Sequence, residues 1–271
     1  MKFRTIGLLL LTAALLAGCA SQSQVSSQDP RVLYDEALRQ LEAGKYQKAQ
    51  TLLQRLVLSA PGLSYIDSVQ YNFAMTFFGN EDYHLAVAEF RRLINSFPRS
   101  ELLDDAALMI GKSYFEAAPN HVGLDQSDND DAIRELKAFL EDYPASDRRS
   151  EGEQLLSRAI EKLVSKQYLA GRQYYRMGNR VSARLYLEDL VTEYPESPFA
   201  PEALLLLAKL DEKDNKLTDA RDKLNNLLNA FPKAPAAAKA TAMKAKLESK
   251  IAARAAKDST AAAQLNGEKG D

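Results

Sequence analysis

The chain has 271 residues, with 35 basic and 37 acidic side chains for a net charge of −2, and it contains a single cysteine. That balance gives no electrostatic case for binding nucleic acid. One cysteine builds neither a disulfide within the chain nor a thiolate metal site.

The N-terminus reads as a secretory signal. Lys2 and Arg4 supply a positive end, and Ile6 to Leu16 form an apolar stretch of 11 residues, short of the roughly 20 that a helix needs to span a bilayer. The stretch ends in Leu16-Ala17-Gly18-Cys19, the order of a bacterial lipobox. Two small residues there let a peptidase approach the backbone, and the thiol accepts a diacylglyceryl group. The alternative is an ordinary secretory signal with an incidental cysteine. Residues 1–18 are then a cleaved signal peptide, leaving 253 residues that start at Cys19, modified by S-diacylglycerol and an N-acyl chain. Three acyl chains anchor a protein where one holds it only marginally. Residue 20 is Ala; in enteric bacteria an Asp there retains lipoproteins at the inner membrane, so the expectation is the outer membrane. Residues 19–30 form a polar tether whose flexible part reaches about 18 Å on average.

From residue 31 to 232 the chain repeats itself. Ala37, Ala49 and Pro61 are spaced 12 and 12, as are Ala74, Ala86 and Pro98, Gly171, Ala183 and Pro195, and Ala208, Ala220 and Pro232. Ala132 and Pro144 keep the second spacing, but the small residue before them, Gly111, lies 21 residues upstream, which marks a nine-residue insertion. Paired helices pack closely only where side chains are small at the crossing. One turn after each second alanine comes a large apolar residue, Leu53, Phe90, Leu136, Leu187 or Leu224, placed on the same face to fill the core between hairpins. Each proline then stops its helix. Turn signals stand at Gly44-Lys45-Tyr46, Gly79-Asn80-Glu81-Asp82-Tyr83 and Gly178-Asn179, whereas Lys213-Asp214-Asn215-Lys216 has no glycine.

This spacing resembles the tetratricopeptide repeat, a helix-turn-helix unit that stacks into a superhelix. The fold class expected is all-α, an α-solenoid of five hairpins at about 30–63, 67–100, 104–146, 147–197 and 201–233. Leu156, Ala159, Ile160 and Leu163 recur at helical spacing and no proline follows until Pro195, so 150–177 is predicted as one long helix inside the fourth repeat. Residues 234–257 read as a basic Ala- and Lys-rich terminal helix, with seven basic residues and one acid from Lys233 to Lys257. It caps the stack as a solvated helix, or alternatively touches anionic envelope polymer. Residues 258–271 are expected to be disordered.

In the repeat register the concave face of the first two hairpins takes Tyr34, Leu38, Leu41, Tyr71, Met75 and Phe78, which form either a groove for an extended amphipathic strand or ordinary core. The same positions in the fourth repeat are Tyr168, Arg172 and Tyr175, with Arg176 beside them. They suit a protein interface, although salt bridges within the array also account for the arginines. His84 and His121 have no ligand-spaced companion, and Asp125 to Asp131 lacks the glycine and the final glutamate of a calcium loop. That acidic run reads as capping acid for the helix carrying Ala132. No catalytic constellation is recognisable, so no enzyme activity, cofactor or metal is expected.

Longer strings carry a more specific resemblance. Ala118-Pro119, Gly123-Leu124-Asp125-Gln126-Ser127, Ala132-Ile133 and Asp142-Tyr143-Pro144-Ala145-Ser146, with Tyr174-Tyr175 and Tyr194-Pro195-Glu196-Ser197, resemble the BamD, or ComL-type, lipoprotein family over residues 16 to about 232. The resemblance implies a subunit of the β-barrel assembly (BAM) machinery on the periplasmic face of the outer membrane. N-terminal repeats would receive unfolded outer-membrane proteins, and C-terminal repeats would contact the POTRA domains of a BamA-like barrel protein, alongside other BAM lipoproteins. The other reading of these residues is a repeat lipoprotein scaffold of Tol-Pal or cell-wall synthesis.

Overall fold

Asp29 and Pro30 start the ordered array: the Asp29 carboxylate accepts a bond from Arg31 N at 2.9 Å and the proline occupies the first turn, where a missing N–H costs nothing. The computed structural model describes residues 29–121 and 123–267, with side chains through Lys257. The predicted lipidation site Cys19 and the lipobox residues Leu16, Ala17 and Gly18 therefore lie outside the described residues. Every regular element described is a helix: α1 (Pro30–Glu42), α2 (Tyr46–Ser59), α3 (Ile66–Gly79), α4 (Tyr83–Ser96), α5 (Leu103–Ala117), α6 (Ser127–Asp142), α7 (Arg149–Arg176), α8 (Arg180–Glu193), α9 (Ala200–Lys213), α10 (Leu217–Ala230) and α11 (Pro235–Gly267). Each packs on its chain neighbours, giving five hairpins followed by α11.

The crossing positions behave as the spacing requires. Ala37, Ala49, Ala74, Ala86, Ala132, Ala183, Ala208 and Ala220 have no solvent exposure, nor do Leu53, Phe90, Leu136, Leu187 and Leu224. Where glycine replaces the first alanine the neighbour moves in: an added Cβ would lie 2.7 Å from Leu136 at Gly111 and 2.7 Å from Leu187 at Gly171. Five cores follow in order, each shared by consecutive helices: α1 to α3, α3 to α5, α5 to the first half of α7, the second half of α7 to α9, and α9 to α11. The long helix α7 thus contributes Leu155 and Ala159 to one core and Val164 to the next.

Turns are as regular as crossings. Seven residues after the small crossing residue, Gly44, Glu81, Gly178 and Asn215 adopt left-handed φ values of 69°, 65°, 78° and 59°. The next N–H then reaches back to close the helix end, as Lys45 N to Gln40 O at 2.8 Å and Lys216 N to Asp211 O at 2.8 Å. Asparagine tolerates this geometry, so the fifth turn needs no glycine. Gly79, read from the sequence as a turn glycine, instead ends α3 against the ring of Tyr46, where a Cβ would collide; Glu81 takes the left-handed position. Helices end as predicted before proline, with Ala60, Phe97, Tyr143, Tyr194 and Phe231 all near φ −124° to −140°.

Two boundaries differ from expectation. The tether was placed through residue 30, but the helix already begins there because Asp29 caps it. The terminal helix was expected to stop at 257 with disorder beyond, yet its backbone continues to Gly267. The added sequence is rich in alanine, which has the highest helix propensity of any residue.

Gly178 has open space around it and Gly171 has none. Gly178→Ala should cost about 1–2 kcal/mol through backbone strain alone, and Gly171→Ala about 1–3 kcal/mol through overpacking. Urea unfolding measures both, and an unchanged midpoint for Gly178→Ala would contradict the left-handed assignment.

Candidate interaction surfaces

The first predicted cluster divides on inspection. Tyr34 is 6% exposed and belongs to the first core rather than to an open groove, which corrects its assignment as a groove residue. Its hydroxyl accepts a bond from Asn72 Nδ2 at 2.9 Å, tying α1 to α3, and its ring meets Tyr65 at 5.3 Å under the Arg31 guanidinium. Leu38 and Leu41 pack on the outside of that core, while Tyr71, Met75 and Phe78 border the second; all five are partly exposed. Tyr71 lies 5.5 Å from the Phe90 ring, and Phe78 meets the Tyr83 ring at 5.4 Å. Burial pushes the Tyr71 phenol up to about 12, helped by the Asp105 carboxylate.

In the fourth repeat, Tyr168 stacks on Phe199 of the α9 approach at 5.5 Å, and Arg172 lies 5.6 Å over the opposite partner of that stack, the Tyr168 ring. Tyr175 receives Lys213 Nζ at 4.7 Å, and Arg176 is exposed in the last turn of α7. Among the described residues neither Arg172 nor Arg176 forms an ion pair, so salt bridging within the array does not account for them.

Sequence reasoning missed the largest apolar exposure. Met177 at 68%, Val181 at 82% and Leu185 at 59% stand in a row leading onto and along α8, with Tyr186 beside them stacked on Tyr174 at 5.6 Å. The four-residue spacing of Val181 and Leu185 puts them on one face of α8, away from the core face of Ala183, Leu187 and Leu190, while Met177 stands at the end of α7 just before the turn. The available signal was apolar residues at helical spacing that fall outside the register of the crossing positions.

An ionic brace holds this face. Asp211 on α9, 1% exposed, accepts from Arg184 Nη1 at 2.7 Å and lies 2.7 Å from Lys223 Nζ on α10. Arg184 also reaches Asp214 at 3.0 Å and Glu188 at 3.3 Å, and Arg180 pairs with Asp214. Bonding to Arg184, reinforced by Arg180, holds the Asp214 carboxyl below the usual range. Arg180, Arg184, Glu188 and Asp214 thus form a charged rim around Val181 and Leu185.

The insertion in the third repeat is tied down by buried amides. Gln126 donates to Pro119 O at 3.2 Å and His121 O at 3.3 Å, and Asn129 donates to Ala159 O of α7 at 3.0 Å. Asp125, one residue before the Gln126 N-cap, accepts from Ser127 N at 3.2 Å and Oγ at 3.1 Å, which lowers its pKa, and Asp128 and Asp130 stand in the first turn of α6. Among the described residues no group of three or more His, Cys, Asp or Glu is placed to hold a metal ion, and no helix is long and apolar enough to cross a membrane.

Comparison with known proteins now adds a family. A model described as outer membrane lipoprotein, YfiO, matches residues 26–212, and a tetratricopeptide repeat model matches 202–234. The chain belongs to the YfiO outer membrane lipoprotein family. Its relatives include proteins named outer membrane protein assembly factor BamD from Vibrio cholerae, 26% identical over 215 residues covering 75% of this chain and 88% of the relative. Those of Pasteurella multocida and Caulobacter vibrioides are 20% and 23% identical, covering 79% and 74% of this chain and 86% and 67% of theirs. Membership associates the chain with the outer membrane and with relatives named as outer membrane protein assembly factors, on a tetratricopeptide array. The family match takes in both clusters, the insertion and the exposed row on α8. The separate repeat match includes the fifth hairpin, whose glycine-free turn was the weakest in sequence.

Asp211→Asn should destabilise the protein by about 3 kcal/mol, because it strips a buried carboxylate from two cations, whereas Arg180→Ala at the exposed rim should cost under about 1 kcal/mol. Thermal and urea unfolding distinguish them. Because the folded Tyr71 pKa is raised from 10.0 to about 12, its contribution is complete below pH 10 and lost as pH rises through 12. The loss is of order 2 kcal/mol. Tyr71→Phe should flatten stability over that alkaline interval, and an unchanged slope would show that the phenol is not the titrating group.

Proposed function

We propose that this chain is a scaffold subunit of the outer-membrane β-barrel assembly machinery, anchored on the periplasmic face by S-diacylglycerol and N-acyl groups on Cys19. In this reading it binds the POTRA domains of a BamA-like barrel protein, sits alongside other BAM lipoproteins and receives unfolded outer-membrane proteins. The observation that carries it is the exposed pair Val181 and Leu185 on α8, with exposed Met177 at the turn before them, inside the family-matched region. A contiguous exposed apolar strip rimmed by charge is the usual mark of a protein interface.

Tyr168, Arg172, Tyr175 and Arg176 extend the same end of the array, and tyrosine and arginine are favoured where partner proteins dock. The N-terminal helices offer Leu38, Leu41, Tyr71, Met75 and Phe78 partly open to solvent, suited to the alternating apolar side chains of an extended barrel strand. Tyr34 supports that face from beneath. Acyl chains on Cys19 would hold both surfaces within a short tether of the membrane.

Leu185→Glu in the full lipoprotein should cut recovery of the barrel partner from detergent-solubilised membranes by about thirtyfold, the effect of losing a 2 kcal/mol interface residue. Its thermal midpoint should stay unchanged, since the side chain is exposed. Barrel-protein levels should fall with it, and Cys19→Ser should release the protein from the membrane fraction and abolish fatty-acid labelling. Full recovery of the partner with Leu185→Glu would sink the docking assignment.

A further inference from the structure

The turn that leaves each second helix carries a Pro-x-Ser string in three repeats, and its serine has a fixed task. Ser100 and Ser146 each accept a backbone N–H two residues on, at 3.1 Å, and each donates to an aspartate at the start of the preceding hairpin's first helix, Asp67 or Asp104, at 2.6 Å. Those aspartates stand seven residues before the small crossing residues Ala74 and Gly111. In the fourth repeat the same position, seven before Gly171, is Val164. Ser197 keeps its backbone bond to Phe199 N at 3.1 Å, but no carboxylate meets its hydroxyl. The clasp is absent there, and a cleft of about 520 Å³ lies between α7 and the α8–α9 turn, floored by Ile160, Val164, Tyr194 and Pro198, against about 380 Å³ at the clasped turn one repeat earlier. That volume falls in the range of clefts that take ligands.

Its rim has one sign of charge. Glu161, Glu193 and Glu196 border the cleft, and none forms an ion pair among the described residues. One repeat earlier the corresponding turn is also bordered by carboxylates, Glu101, Asp104 and Asp142, but there Ser146 engages Asp104, and Arg148 adds a cation nearby, 3.5 Å from Asp105 and 3.0 Å from Glu151. At the position of Arg148, two residues after the serine, the fourth repeat has Phe199. Burial, with the Glu193 and Asp130 carboxylates, also pushes the Tyr194 phenol up.

We infer that this cleft is a docking site for an extended segment of a partner protein that carries lysine or arginine beside an aliphatic side chain. The aliphatic group fills the space over Val164 and Ile160, the cations pair with the glutamates, and the Ser197 hydroxyl is left to donate to the segment's backbone. Apolar floor and anionic rim together select this occupant: an acidic segment is repelled, and a purely polar cation leaves the floor wet. The site is separate from the Val181 and Leu185 face, so it stands whether or not that face binds a barrel protein.

The test uses the full lipoprotein in detergent and two fluorescein-labelled nonapeptides, one alternating lysine with valine and one alternating glutamate with valine, read by fluorescence anisotropy. The lysine peptide should bind and the glutamate peptide should not. The combined Glu161→Gln, Glu193→Gln and Glu196→Gln variant should weaken binding at least about tenfold. Val164→Asp, which rebuilds the clasp with Ser197, should weaken it comparably although it adds a negative charge; should that variant misfold by circular dichroism, Ser157→Trp at the exposed wall blocks the same space. Equal binding by all variants, or by both peptides, overturns the proposal. So does self-association of the wild type in sedimentation velocity that the glutamine variant abolishes, which would make a second copy the occupant.

Discussion

Close approach of two helices at a small residue is the contact from which the rest of the array follows. An alanine or glycine on the first helix and an alanine on the second let the axes come together, and the large residue one turn later then fills the space between hairpins. Because the crossing side chains have no exposure, a larger one must displace a neighbour. At Gly111 and Gly171 even a methyl group would meet leucine, so those hairpins are packed more closely than alanine permits.

Regular crossings make regular turns, since the left-handed residue falls seven positions later in four repeats whatever its identity. Glycine supplies it twice, asparagine once and glutamate once. The geometry is imposed by the pair of helices, and the residue accommodates it at a cost of order 1 kcal/mol where it carries a Cβ. The third repeat escapes this rule. Its insertion replaces the tight turn with a loop whose buried amides, Gln126 and Asn129, reach the backbone of Pro119, His121 and Ala159. This couples the loop to α7, whose first half serves one core and whose second half serves the next.

The exposed α8 face and the cleft beside Val164 are departures from the repeat. Where every position obeys it, side chains go into the stack, as Tyr34 does. Where a hairpin presents apolar residues off the register, as α8 does with Val181 and Leu185, no other described residue covers them. The brace from Asp211 to Arg184 and Lys223 keeps that face in place. Val164 likewise stands where two earlier repeats have an aspartate, and the cleft beside it is unclasped and larger than the one at the clasped turn before it.

Much of the fold was legible in the sequence because it depends on residue size and backbone chemistry at fixed spacing. Small crossing residues, prolines and the 28-residue α7 are properties of local segments, and their positions predict five hairpins without further information. The Pro-x-Ser strings were visible too, but not their meaning, because the aspartate each serine meets lies 33 or 42 residues away. Likewise Tyr34 and Leu38 look equivalent along α1, and only packing against α3 makes one core and the other partly open. The sequence by itself determined which helices form and how they pair. Exposure, ion pairing and the open cleft were decided by tertiary structure, since each depends on which side chain a distant helix brings alongside.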